Sequence, residues 1–187
     1  MNSFYTESEL KELGIKQYGE NVKISKKVSI YSPNKLVIGN NVRIDDFCIL
    51  SGNIELGSNI HISAYAALFA GDMGIKCEDY VGVSSRTMVY AISDDYSGEY
   101  MTNPTIPDKY RNVKSERVLL CKHSLVGAGC IVLPGVTVGE GASVGAMSLI
   151  NKDLDAWGIY AGVPCKYMKE RSKRLLELER LYLQEIS

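Results

Sequence analysis

Few side chains in this 187-residue chain are suited to proton chemistry. Its two histidines are His61 and His123, and a carboxylate pair, Asp94-Asp95, sits in a stretch with no periodic pattern. An imidazole titrates near neutrality and suits proton transfer to or from a reacting group. A carboxylate does the same once burial raises its pKa. His123 falls at a turn, three residues before Val126-Gly127, where a base and a structural turn residue are both open. His61 immediately precedes the apolar Ile62 and is expected to point outward, at the surface or an interface. The five cysteines (48, 77, 121, 130 and 165) show neither CxxC pairing nor metal-ligand spacing, so no metal is expected.

The acid pair belongs to residues 91–117, which also carry Tyr96, Tyr100, Tyr110 and two prolines. A loop of this length in a compact domain points to function, or to packing on a neighbouring subunit. Tyrosine offers an apolar face to a sugar ring and a hydroxyl to its oxygens.

A six-residue repeat must position these groups. From Leu120 to Ile150 every sixth residue is aliphatic, and two positions before each stands a smaller one, from Val118 to Ser148. An earlier array runs from Ile24 to Val89, with its own partners two positions back, from Val22 to Thr87. A helix repeats every 3.6 residues and a simple strand every 2. Hexads instead lay down one short strand and one turn each, and three hexads close a triangular coil, a parallel β-helix. The seventeen hexads predict an all-β prism of just under six coils. The spacing carries two extra residues between Ile30 and Ile38, three between Leu68 and Cys77, and twenty-five between Val89 and Leu120. Counted in threes, all three insertions fall at one corner, so the extra chain extrudes along one edge. The insertion at Ala70–Gly74 is expected to be flexible. Cys48, Cys77 and Cys130 take inward positions as small apolar fillers.

The rest of the chain is punctuation. Residues 1–20 form a cap, with a capping box at Thr6-Glu7-Ser8-Glu9 and a stop at Gly14. Residues 21–165 are the β-helix with its loop, and 166–187 a C-terminal helix running from about Tyr167 to Glu185 after an extended exit from Trp157 to Lys166. Lys169, Arg171, Lys173 and Arg174 at its start oppose the helix dipole, a misfit that an anion would relieve. The length fits one domain. A net charge of -1 and a pI near 6.2 give no broad attraction for nucleic acid. Neither a membrane-length apolar run nor a signal-peptide pattern appears, so a cytoplasmic location is expected.

These features carry a resemblance. The hexads, the single long loop, Leu133-Pro134-Gly135-Val136-Thr137-Val138-Gly139, Val144-Gly145-Ala146-Met147-Ser148 and the exit Ala161-Gly162-Val163-Pro164-Cys165-Lys166 are similar to the hexapeptide-repeat acyltransferases. Within them the chain looks most like the galactoside and maltose O-acetyltransferase branch, over roughly residues 20–170. The resemblance implies a left-handed β-helix, an acetyl-CoA donor, and a homotrimer with each active site between two prisms. It puts Ala128 and Ala146 beside the pantetheine arm, Asn151 and Lys152 at the end of the last coil, and Lys166 and Lys169 at the nucleotide phosphates. The match departs at the base. The branch places a histidine shortly after the last strand before the long loop, and Asp94 stands there instead. Tyr65–Leu68 lacks the asparagine that supplies an oxyanion donor, and Leu125 replaces a frequent aromatic. His123 lies one coil from where related N-acyltransferases use a histidine. The candidate catalytic set is therefore His123, Asp94 and Asp95.

The leading expectation is acetyl transfer to a sugar hydroxyl. The alternative is acylation of an amine on a nucleotide-linked aminosugar, for which a missing histidine matters little. A non-catalytic scaffold explains the hexads but not the loop or the basic exit. A zinc enzyme like the γ-type carbonic anhydrases needs three histidines around the metal, and the chain has two.

Overall fold

The structure, a computed structural model, describes residues 3–186. A short helix, α1 (Glu7–Glu12), opens it as the capping box predicts: the Thr6 backbone N–H donates to Glu9 Oε2 at 2.7 Å, and Glu9 N–H donates to Thr6 Oγ1. Gly14 follows with φ +71°. Leu10 is buried against the first coil, whose strand edges the segment covers.

The prism has three faces. The first face stacks Lys23–Ile24, Arg43–Ile44, His61–Ile62, Gly82–Val83, Leu125–Val126, Ser143–Val144 and Gly158–Gly162 in parallel register. The second runs from Ser29–Tyr31 through Met88–Tyr90 to Leu149–Ile150, and the third from Gln17–Tyr18 through Val118–Leu120 to Thr137–Val138. These last two merge into one sheet because Ile49–Leu56 and Ala67–Cys77 continue round the corner between them. The third face is visited once more at Leu154, and Tyr160 fills the next inward position. The chain thus begins a seventh coil beyond the arrays read from the sequence. Of the seventeen inward hexad residues, sixteen are at most 3% exposed, and Ile30 is partly covered.

Most corners bend the backbone through a left-handed residue. At the corner from third to first face these are Asn21, Asn41, Asn59, Tyr80, His123, Gly141 and Trp157. At the corner from first to second they include Phe47, Tyr65, Arg86, Gly129 and Met147. From the second coil onward the N–H of the turn residue commonly donates to a turn carbonyl one coil away, as in Tyr80 to Ser58, His123 to Asp79 and Gly141 to Lys122. Small inward side chains beside the corner complete the ladder: Thr87 Oγ1 donates to Gly127 O at 2.8 Å, and Ser148 Oγ to Gly145 O at 2.7 Å. Burial pushes the Cys48 thiol up to about 11 and the Cys77 thiol up to about 12, which suits inert fillers.

All three insertions leave at the corner from second to third face. The one at Ala70–Gly74 is not the flexible loop that the sequence leads one to expect. It stays within the strand Ala67–Cys77, with Gly52 paired to Gly71. Gly52 has φ +91°, and a Cβ there would sit 2.5 Å from Gly71 O, so the two backbones meet only because glycine is present. The long loop is pinned at its base by Ile92–Ser93 antiparallel to Lys114–Ser115.

The C-terminus also differs from expectation. Cys165–Glu170 is a strand antiparallel to Gly158–Gly162, and the helix, α2 (Arg174–Ile186), begins later than the sequence predicts. The open edge of the last strand on the first face captures the returning chain before a helix can form. Of the four basic residues only Arg174 lies in the helix: Lys169 lies in the strand, and the Arg171 guanidinium donates to the carbonyls of His123 and Gly141 at 2.8 and 2.9 Å. No helix among the described residues is long and apolar enough to cross a membrane.

Leu68 is fully buried in the middle of the stack. Leu68→Ala should destabilise the fold by about 2–5 kcal/mol, since the rigid ladder leaves little room to collapse onto the cavity. Denaturant unfolding of the variant and the native chain measures it.

Candidate active site

The corner from first to second face changes character along the prism. The residue following each inward residue of the first face is Ser25, Asp45, Ser63, Ser84, Gly127, Gly145 and then Ala161. Side chains give way to bare backbone one coil after Ser84. A Cβ on Gly127 would meet Val144 O at 2.5 Å, and one on Gly129 would meet Met147 Sδ. Ala128 and Ala146 sit exposed between these glycines in successive turns. The result is a narrow strip of backbone with no large side chain rising from it except Met147. Ser84 was not among the residues singled out from the sequence. Its signal was a hydroxyl in a column that turns to glycine.

The strip leads to the exit strand, where Lys166 pairs in register with Ala161 and Lys169 with Ile159, both exposed. Asn151 and Lys152 lie at the other edge of the second face, also exposed, and the Lys152 charge acts on the Cys165 thiol next to Lys166. Four of the six candidate donor residues thus follow one edge of the prism, and Asn151 and Lys152 approach the same end from the next corner.

The candidate bases are dispersed. His123 is a member of the turn ladder at the corner from third to first face, 8% exposed, and stacked on Tyr80 with ring centroids 4.9 Å apart. Its Nε2 lies 2.8 Å from Glu179 Oε2 on α2, and Glu179 Oε1 takes a 2.7 Å ion pair from Lys122. Burial raises the Glu179 carboxyl, but the bonds from Lys122 and His123 outweigh it and leave the group below its ordinary range. His123 is enclosed as an anchor for α2. His61 lies outward on the first face, with Nε2 2.7 Å from Asp45 Oδ2.

Asp94 and Asp95 stand at the mouth of the loop, at the corner from second to third face. Asp95 is consumed in shaping it, accepting bonds from the N–H and hydroxyl of Ser97 and from Asn112. Asp94 is freer. Its Oδ2 accepts the Asn103 N–H at 3.1 Å, and its Oδ1 lies 3.6 Å from Arg111, a largely buried guanidinium also bound to Asp108. Arg111 and Glu179 were missed in the sequence because each acts across a fold that no spacing reveals. A groove of about 500 Å³ between Lys16, Glu55, Lys76 and Glu78 lies on the third face and holds none of the candidate residues. The described residues contain no group of three or more His, Cys, Asp or Glu placed to hold a metal.

No protein-family profile matches the chain. It is 45% identical over 183 residues to the dTDP-4-amino-4,6-dideoxy-D-glucose acyltransferase of Escherichia coli, covering 96% of this chain and 95% of that one. It superposes on AntD, an N-acyltransferase from Bacillus cereus, in complex with dTDP and 3-hydroxybutyryl-CoA. The TM-score is 0.98 and the identity 52%, over 100% of this chain and 99% of that one. Other AntD structures are of its S84A and D94A variants, bound to coenzyme A with dTDP-4-amino-4,6-dideoxyglucose or dTDP. This chain carries serine and aspartate at those numbers. A galactoside acetyltransferase in complex with coenzyme A has a TM-score of 0.60 at 20% identity, over 90% of this chain and 70% of that one, which is likeness of fold, the left-handed parallel β-helix.

Glu179→Gln removes the charge that Lys122 and His123 share. The variant should lose about 1–3 kcal/mol at neutral pH, the usual range for leaving a polar partner unmatched. A carboxyl held below its ordinary pKa adds stability above that range and loses it as pH falls through the lowered value. Thermal melts from neutrality into acid should therefore show the gap between variant and native chain closing.

Proposed function

From the premise that the chain belongs to the hexapeptide-repeat family of sugar acyltransferases, we propose that it transfers an acyl group from acyl-CoA to the amine of a dTDP-linked 4-amino-4,6-dideoxy sugar. The observation that carries this reading is the full-length likeness to a dTDP-aminosugar acyltransferase, with Asp94 where the O-acetyltransferases use histidine. The hydroxyl acceptor expected from the sequence gives way to an amine. A sugar hydroxyl needs a base to take its proton during attack, whereas a neutral amine has a free lone pair.

In this reading the amine nitrogen attacks the thioester carbonyl, the C–N bond forms, and the carbonyl electrons move onto oxygen. The carbonyl reforms as the C–S bond breaks, and the ammonium proton ends on the CoA thiolate. Asp94 accepts a hydrogen bond from the amine and holds its lone pair toward the carbonyl. The Ser84 hydroxyl donates to the developing oxyanion. The pantetheine arm lies along Ala128 and Ala146, where a larger side chain would block it. Lys166 and Lys169, with Asn151 and Lys152 behind them, meet the CoA phosphates. His123 takes no part in the reaction, and Asp95 serves the loop.

Within one chain Ser84 and Asp94 lie on opposite sides of the second face, separated by the strand Met88–Tyr90 and its flanks. Five or six extended residues span roughly 17–20 Å. The amine and the thioester oxygen of one reacting pair lie too close together to reach both, so in this reading a complete site takes Ser84 from one subunit and Asp94 from its neighbour. Apolar side chains that point outward on the second face, Tyr31, Met88 and Ile131, are exposed in the single chain and available for burial in a homotrimer.

Two experiments test this. CoA release should be rapid with dTDP-4-amino-4,6-dideoxyglucose and absent with its 4-hydroxy counterpart; the reverse preference overturns the acceptor. Ser84→Ala and Asp94→Ala should each lower kcat by roughly 10²–10⁴-fold, as loss of a group acting on the transition state does. Co-refolding the two inactive variants should restore activity, up to about a quarter of the sites, because mixed rings contain interfaces with both native residues. Absence of recovery in a mixed trimer sinks the shared site. Ala146→Trp should abolish CoA binding while leaving the far-ultraviolet spectrum unchanged.

A further inference from the structure

The corner that carries Ser84 has a second half, toward the N-terminus, that the reaction as described leaves unused. There the left-handed turn residues are large: Phe47, Tyr65 and Arg86, against Gly129 and Met147 in the coils beyond. Their order is fixed by the turn ladder, in which Tyr65 N–H donates to Asp46 O, Arg86 N–H to Ala64 O and Gly129 N–H to Ser85 O. Phe47 and Tyr65 stack with centroids 4.9 Å apart and rings 24° from parallel, yet remain 46% and 52% exposed. Lys27 sits over the Phe47 ring and is neutralised by Asp46. Arg86 is exposed and enters no ion pair among the described residues.

We propose that Phe47, Tyr65 and Arg86 form the subsite for the nucleoside diphosphate half of the acceptor. The inference rests on the acceptor reading above. Ser84 marks the reacting coil, and the donor occupies the glycine strip on its C-terminal side. The acceptor's remaining length must therefore run the other way along the same edge. Arg86 is in the reacting coil, two residues after Ser84, where the first phosphates beyond the sugar fall. Its guanidinium matches phosphate oxygens in a bidentate fork. Tyr65 and Phe47 stand one and two coils further, roughly 5 and 10 Å along the axis, the reach of a base beyond its diphosphate. Exposed aromatic faces hold a base by stacking. Arg86 also keeps a left-handed φ of +60° where the next coil uses glycine, a conformation that L side chains adopt at a penalty.

That last feature separates a binding role from a structural one. Titration calorimetry of the native protein, Arg86→Gly and Tyr65→Ala with dTDP and, separately, with CoA reads both halves of the site. Arg86→Gly should weaken dTDP binding by roughly tenfold to a hundredfold, the worth of charge-assisted phosphate contacts, while its melting temperature stays level or rises. Tyr65→Ala should weaken dTDP by roughly tenfold. CoA affinity should be unchanged in both. Native dTDP binding with both variants within twofold of it overturns the subsite alone. A corner that is instead a subunit contact would show variants that dissociate while dTDP affinity per protomer holds, which also overturns it. A native protein that binds no dTDP sinks the acceptor reading and the subsite together.

Discussion

The structure depends on turning a corner every six residues while keeping every backbone group paired. At the two corners without insertions the turns are tight, and most use a left-handed residue whose N–H bonds to the coil beside it. That register propagates without drift: the same kind of bond joins Asn41 to Glu20 at one end of the ladder and Trp157 to Glu140 at the other. A column of corner residues is thereby as well defined as a strand, and its spacing is set by the sheet repeat. Chemistry in such a fold is arranged along columns.

The same constraint explains how a histidine comes to be enclosed. His123 occupies a place in the ladder where earlier coils carry Asn21, Asn41 and Asn59, themselves linked side chain to side chain. Its ring continues that column by stacking on Tyr80 and gives α2 a polar anchor through Glu179. Asp94 is the opposite case. It stands on chain extruded from the repeat, where a short antiparallel pair, the Asn103 amide and the Arg111 guanidinium position it without enclosing it. The repeat supplies rigid edges, and the insertion supplies a group that can reach past them.

Closure of the prism at its ends follows from edge strands. Helix α1 and its flanking segment cover the first coil, and the antiparallel return of Cys165–Glu170 covers the last, with Arg171 tying two corner carbonyls together. Both devices prevent a long parallel sheet from recruiting another chain at its open edge.

The sequence by itself determined the repeat, because a residue that fills a triangular interior must recur at each strand and tolerates no substitute larger than the space. The inward positions from Ile24 to Ile150, the corner from which the insertions leave and the capping box at Thr6 were all legible for that local reason. That Asp94 stands where the resembling branch has a histidine was legible as well, and it left an amine acceptor open beside the leading hydroxyl reading. What the sequence could not fix was anything decided by one coil touching another through side chains, or by an edge finding a partner. The exit strand reads as the start of a helix because its periodicity is weak, and pairing with Gly158–Gly162 overrides propensity. His123 reads from the sequence as an open turn residue, and its contact with Glu179, fifty-six residues away, appears only in the fold. Ser84 gains its meaning from the glycines stacked beyond it, and stacking is a property of coils brought into register. Residues stacked down the prism axis are neighbours only after the chain has wound, and that is why only the tertiary structure shows which of them share a column.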